Sequence, residues 1–165
     1  MGIGAHGPAN YCLFAIEKDK KRPRKSIHIT AWELNARKLY TYEPCYFFTP
    51  TVILLCFNTC SKPSFLNVEQ AWYSAVQALH PKTPIILVGT KSDLREDPEA
   101  LIELKHDGHG SPVLLQEGEA LARKIGAVRY VECSSRTLEG VPDVFQEAIA
   151  VVNPKSKWKA GCTIQ

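Results

Sequence analysis

The sequence predicts an α/β domain: a mostly parallel sheet with helices packed against it. Three observations point there. "TVILLCF" (51–57) is a continuous apolar run of strand length, the pattern of a parallel strand covered on both faces. Two further strand-like runs follow, "PIILVG" (84–89) and "VRYVEC" (128–133). Each of the three is followed by a stretch with helical character, and repeated strand–helix alternation implies parallel strands joined by right-handed crossovers.

The elements can be justified in chain order. "YCLFAIE" (11–17) and "SIHITAW" (26–32) are strand-like and are joined by "KDKKRPRK" (18–25), which predicts an antiparallel hairpin with a charged tip. "ELNARKLYTYEPCYFF" (33–48) shows no regular period. After the first apolar run, "SFLNVEQAWYSAVQAL" (64–79) sets Phe65, Val68, Trp72, Val76 and Leu79 on one helical face, with Ser61 as cap and Pro63 in the first turn. "DPEALIELK" (97–105) reads as a short charged helix followed by a "HDGHGSP" loop (106–112). "QEGEALARKIG" (116–126) is a helix stopped by Gly126. "VPDVFQEAIAVV" (141–152) is a last helix with Val141, Val144, Phe145, Ala148, Ile149 and Val152 facing inward, ended by Pro154.

Composition narrows the class. The chain has 165 residues, enough for one domain, and at 45% hydrophobic it can bury a core. It contains no apolar run of membrane-span length. The first twenty residues show no basic start followed by an apolar block, so no secretory leader is expected. The six cysteines lack metal-ligand spacing and read as reduced cytosolic thiols. The net charge of +3 is mild. The six basic residues between Lys18 and Lys25 read as a solvated hairpin tip, and no interleaved aromatics support nucleic-acid binding.

Two motifs stand at consecutive strand ends. Thr90, Lys91 and Asp93 follow "PIILVG", where open α/β sheets bind ligands. A carboxylate there can accept hydrogen bonds from the N1–H and the exocyclic amine of guanine. Adenine offers the opposite pattern, so Asp93 discriminates, and the Lys91 stem can lie along the base plane. "ECSSRTLEG" (132–140) ends the next strand. Ser134 and Ser135 bring backbone N–H groups to the same sheet edge, one able to meet the guanine O6. Each motif alone is weak; the pair is specific.

From about Tyr11 to the end, the chain resembles Rho/Rac-type small GTPases of the Ras superfamily. The residues concerned are "LLCFNTCSKPSFLNVEQAWY" (54–73), "PKTPIILVGTKSDLRED" (81–97), "ARKIGAVRYVECSS" (122–135), "VFQEAI" (144–149) and the terminal "CTIQ". The charged segment from Glu96 to about Gly110 resembles the extra helix of the Rho branch. The resemblance implies a Ras-like fold over residues 1–153 and a basic tail over 154–165. It assigns nucleotide contacts to Thr90, Lys91, Asp93, Ser134 and Ser135.

The resemblance also implies a phosphate cradle, Gly-x-x-x-x-Gly-Lys-Ser/Thr, whose amides and lysine hold phosphates while its hydroxyl holds magnesium. Gly2 and Gly7 have the spacing, but Pro8 and Ala9 stand where the lysine and hydroxyl belong. "NYCLFAIE" (10–17) resembles the family's second strand, so the first strand, phosphate loop and first helix are expected to be missing. Glu33, Ala36 and Arg37 stand at the family's Asp, Gly and Gln of the γ-phosphate switch. An arginine cannot accept a hydrogen bond from the attacking water. The expectations are weak GTP or GDP binding through the base, no magnesium, and no hydrolysis. The absent first strand would leave an open slot between "SIHITAW" and "TVILLCF", with 10–17 the nearest segment to rearrange.

"KSKWKAGCTIQ" (155–165) ends in a C-a-a-X pattern whose final Gln favours farnesyl. Cys162 is therefore the expected lipid-attachment site, with a prenyltransferase as partner. Lys155, Lys157 and Lys159 add attraction to an anionic inner leaflet, which predicts a cytoplasmic, peripheral membrane protein. Rho-type effectors or regulators are the expected protein partners. Two other readings stay open: a nucleotide-free interaction module or decoy, and a shortened form of a normal Rho GTPase.

Overall fold

A continuous apolar strand must be covered on both faces, and the third strand of this chain is. The structure, a computed structural model, describes residues 13–18, 29–34, 50–106 and 111–152, with side-chain surroundings from Pro50 onward. Its strands are β1 (Leu13–Lys18), β2 (Ile29–Leu34), β3 (Val52–Asn58), β4 (Ile85–Thr90) and β5 (Arg129–Cys133). They form one sheet in the order β2-β1-β3-β4-β5. β3, β4 and β5 are parallel, as the repeated crossovers require. The helices are α1 (Lys62–Asn67), α2 (Tyr73–Leu79), α3 (Pro98–His106), α4 (Leu115–Lys124) and α5 (Val141–Val152).

Side chains alternate across a strand, so β3 feeds two cores. Ile53, Leu55 and Phe57 point to one face, where Val68, Trp72, Val76, Ile85, Leu87, Val113, Leu121, Ala122 and Ile125 complete the cluster. Val52, Leu54 and Cys56 point to the other, against Ile86, Val88 and the α5 residues Val144 and Ala148. The first helical run starts as its sequence predicts: Ser61 caps α1 by accepting from the Ser64 N–H at 3.3 Å, with proline in the first turn. A π-helical turn, Val68–Trp72, joins α1 to α2, where the apolar period alone predicts an unbroken α-helix. α4 ends before Gly126, whose φ of +67° is the left-handed conformation that glycine adopts without strain. At the start of α4, Glu117 accepts from the Leu114 N–H at 2.8 Å and from Lys62 at 2.5 Å. Those bonds, Lys62 foremost, hold its carboxyl below the ordinary glutamate range. No helix among the described residues is long and apolar enough to cross a membrane.

The hairpin forms as expected: β1 and β2 are antiparallel, pairing Leu13 with Leu34 through Lys18 with Ile29. Its place in the sheet departs from the expected arrangement. The open slot beside β3 is not left facing the "SIHITAW" strand. β1 lies in it, antiparallel to β3, with Leu13 opposite Leu55 and Ile16 opposite Val52. The reason is backbone satisfaction. An interior strand with one bare edge leaves a row of N–H and C=O groups unpaired, and a neighbouring hairpin strand supplies the partners. β2 then becomes an outer strand of the sheet.

Candidate functional site

The candidate site gathers where the parallel strands end. β4 and β5 run in register, with Thr90 opposite Cys133, so the segments leaving them emerge side by side. The chain leaving β3 stitches the first of these in place. The Thr90 hydroxyl donates to the Phe57 carbonyl at 2.9 Å, and the Thr59 N–H donates to the Thr90 carbonyl at 3.0 Å. The fully buried Thr59 hydroxyl donates to the Lys91 carbonyl at 3.1 Å.

Lys91 has φ 59° and ψ 39°, a left-handed backbone on a residue with a Cβ. Such a conformation costs about 1–2 kcal/mol and persists where surrounding bonds fix it. Here the Lys91 carbonyl also accepts from the Leu94 N–H at 3.1 Å, closing a single 3-10 turn, Ser92–Arg95. That turn presents Asp93, whose side chain is 13% exposed. Arg136 reaches over it, with Nη1 3.8 Å from Asp93 Oδ2 and 3.5 Å from Asp97 Oδ2.

Two residues on, Arg95 ties the turn to β5. Its guanidinium donates to both Glu132 carboxylate oxygens, at 2.6 and 2.7 Å, and twice to the Val113 carbonyl, at 3.2 and 2.9 Å. Tyr130 donates its hydroxyl proton to Glu132 Oε1 at 2.6 Å. Burial works to raise the Glu132 carboxyl, but the hydrogen bonds from Arg95 and Tyr130 outweigh it and bring it below the ordinary glutamate value of 4.5. Burial, then the bond to Glu132, pushes the Tyr130 phenol well above its usual range, so it stays a donor. Burial likewise raises the Cys60 thiol.

The loop after β5 divides its two serines. Ser134 is fully buried. Its N–H donates to the Glu139 carbonyl at 2.9 Å, and its hydroxyl oxygen accepts from the Arg136 and Thr137 amides at 3.2 and 3.1 Å. Ser135, beside it, is exposed. Ser134 therefore shapes the loop, whereas Ser135 faces solvent. A cleft of about 340 Å³ opens alongside, lined by Ser92, Asp93, Arg95, Glu96, Glu132 and Glu139. Four of these six are carboxylates, and the one arginine among them is engaged by Glu132, so the lining of the cleft is mainly acidic.

The family model of the Ras family matches residues 15–153. The chain belongs to the Ras family. Among curated proteins it is 39% identical, over 128 residues, to the Rho-related GTP-binding protein RhoD of Homo sapiens. That match covers 77% of this chain and 60% of RhoD, so the chain spans less than two thirds of that relative's length. The Rho-type resemblance and the Ras-like α/β fold expected from the sequence are thereby borne out.

In this Ras-family chain, Thr90, Lys91, Asp93, Ser134 and Ser135 all lie at one edge of the sheet. A carboxylate, a lysine and an exposed serine thus stand where two adjacent parallel strands end, residue types that suit a purine base with N–H donors. Among the described residues, no three or more His, Cys, Asp or Glu side chains form a metal-binding cluster. Gly2, Gly7, Pro8, Ala9, Ala36, Arg37, Cys162 and the tail lysines lie outside the described residues. Glu33 lies in β2, paired with Phe14. The sequence reading missed Thr59, Arg95, Glu132 and Arg136. Their roles rest on contacts across 32 to 43 positions of chain, which no local pattern announces.

Proposed function

We propose that this Ras-family chain is a Rho-type signalling protein whose described residues form the guanine-base half of a nucleotide site and whose tail is prenylated at Cys162. The observation that supports the base half is the convergence of the Asp93 turn and the Ser134–Ser135 loop at the ends of adjacent parallel strands. Asp93 accepts from guanine N1–H and the exocyclic amine, Ser135 N–H meets O6, and the Lys91 stem lies along the ring. RhoD carries GTP-binding in its name, which favours the same ligand class here. The 165 residues contain no Gly-x-x-x-x-Gly-Lys-Ser/Thr, so by themselves they bind GTP, GDP and guanosine alike and weakly, without magnesium and without turnover.

The deciding experiment is a titration of guanosine against adenosine, followed through the backbone amides of residues 90–93 and 134–136. Guanosine preference that Asp93→Ala removes is the expected result. Equal shifts with both nucleosides would leave the alternative of a nucleotide-free interaction module. Magnesium-dependent GTP turnover abolished by changing a residue of this chain would overturn the reading of the phosphate side. The anchor is tested separately. Cys162→Ser should move the protein out of the membrane fraction of eukaryotic cells, and equal partitioning would refute prenylation. Rho-type effectors or regulators, a prenyltransferase and the inner leaflet are the partners this reading names.

A further inference from the structure

We infer that Arg136 is a movable counter-ion that gates the base acceptor Asp93, with Asp97 as its resting place when the base is bound. The inference rests on the guanine-base reading and adds a regulator to that site.

The geometry places one cation between two carboxylates. Arg136 Nη1 stands 3.8 Å from Asp93 Oδ2 and 3.5 Å from Asp97 Oδ2. The three groups differ in exposure. The Asp93 side chain is 13% exposed and that of Asp97 26% exposed, whereas that of Arg136 is 72% exposed. Asp97 is held because its other oxygen, Oδ1, caps α3, accepting from the Glu99 and Ala100 amides at 3.0 and 3.5 Å. The Arg136 backbone is fixed too, its N–H bound to the Ser134 hydroxyl. The guanidinium is the most exposed of the three charged groups, and both its partners are within reach of one anchored stem.

A largely buried carboxylate needs a counter-charge or hydrogen-bond donors. Without base, Arg136 supplies part of that need at Asp93. With base, the N1–H and amine of guanine supply it instead, and they approach the same oxygens. Arg136 must then withdraw, and Asp97 retains it close by. Base binding is thus an exchange of partners at Asp93. The exposed pair makes the exchange shallow: surface ion pairs contribute little, equivalent to about a two- to five-fold change in affinity.

Two single variants and their combination test this in the whole chain, with guanosine as probe and adenosine as control. Arg136→Ala should tighten guanosine binding about two- to five-fold. Asp97→Asn keeps a cap of equal quality but removes the resting charge, so it should weaken guanosine binding by a similar factor. The double variant should match Arg136→Ala, because Asp97 acts on the base only through Arg136. Urea denaturation of each variant checks that the fold is retained. Unchanged or weaker guanosine binding by Arg136→Ala overturns the gate and leaves the base reading standing. An additive effect of Asp97→Asn on top of Arg136→Ala also overturns it. If neither wild type nor Arg136→Ala prefers guanosine, the base reading itself fails, and the gate with it.

Discussion

Arg95→Met should destabilise the chain by about 2–3 kcal/mol at neutral pH. The magnitude follows from what the guanidinium touches. It makes two charge-assisted bonds to Glu132 and two bonds to the Val113 carbonyl, all between 2.6 and 3.2 Å. Methionine keeps much of the stem but leaves Glu132 charged with only the Tyr130 hydroxyl as partner. Breaking a fully buried pair costs about 3–5 kcal/mol and an exposed pair about 0–1 kcal/mol. With side chains 24% and 14% exposed, this pair lies between, nearer the buried limit. Urea denaturation should show a midpoint lower by about 1 M at an unchanged slope, for a slope of about 1–3 kcal/mol per molar. The effect has a sign in pH. The Glu132 carboxyl is depressed in the folded chain, so its contribution is present above the ordinary value of 4.5 and lost as pH falls through its lower folded value. In Arg95→Met only the Tyr130 hydrogen bond still opposes burial at Glu132, so its carboxyl is less depressed and the variant loses less stability as pH falls. The gap between wild type and variant should therefore narrow as pH drops below 4.5. A loss under about 0.5 kcal/mol at neutral pH, or a gap that widens in acid, would refute the reasoning.

Three further outcomes are expected. Ala15→Pro puts proline in a strand paired on both sides, to Trp32 and Ile53, and should cost about 3 kcal/mol or more, with lost cooperativity or association. Equal denaturation curves would mean that β1 does not close the slot beside β3. Gly118→Ala should destabilise by about 1–3 kcal/mol, although alanine normally favours a helix by about 1 kcal/mol, because the new Cβ would stand 2.2 Å from the Tyr130 ring; a rise in Tm would show that the ring yields. Lys91→Gly should raise stability by up to about 1 kcal/mol by relieving the left-handed backbone, while weakening guanosine binding, and a fall in stability would show that the conformation carries no strain.

The parallel half of the fold was legible because its signals are local and mutually consistent. A run such as 52–57, short, apolar throughout and bounded by polar residues, reads as a strand covered on both faces and is buried along its whole length, and Val68, Trp72 and Val76 face the core as their spacing requires. The π-helical turn within that run was not legible, since the apolar period continues through it unchanged. The hairpin was legible as a pairing but not as a position. Sequence period fixes which strands pair locally, whereas which of the two lies beside β3 depends on a vacancy elsewhere in the sheet. At the site, Thr90, Lys91, Asp93 and the two serines stood out because they are contiguous with strand ends. The division of labour between Ser134 and Ser135 did not, because it is decided by a bond to Glu139.

The segment that carries α3 is anchored at two points. Asp97 is held at the near end by the amides it caps and by Arg136. Val113 is held at the far end, its carbonyl by Arg95 and its amide by the Thr59 carbonyl at 2.7 Å. Between them α3 commits only Leu104 to burial. Such a segment is a permissive port for new sequence. The entropy of closing a loop grows logarithmically, so doubling the excursion costs only about 0.6 kcal/mol once its ends are pinned. A chain built this way can acquire a longer insert, a modification motif or a foreign peptide between 98 and 112 while its sheet and cores are inherited unchanged.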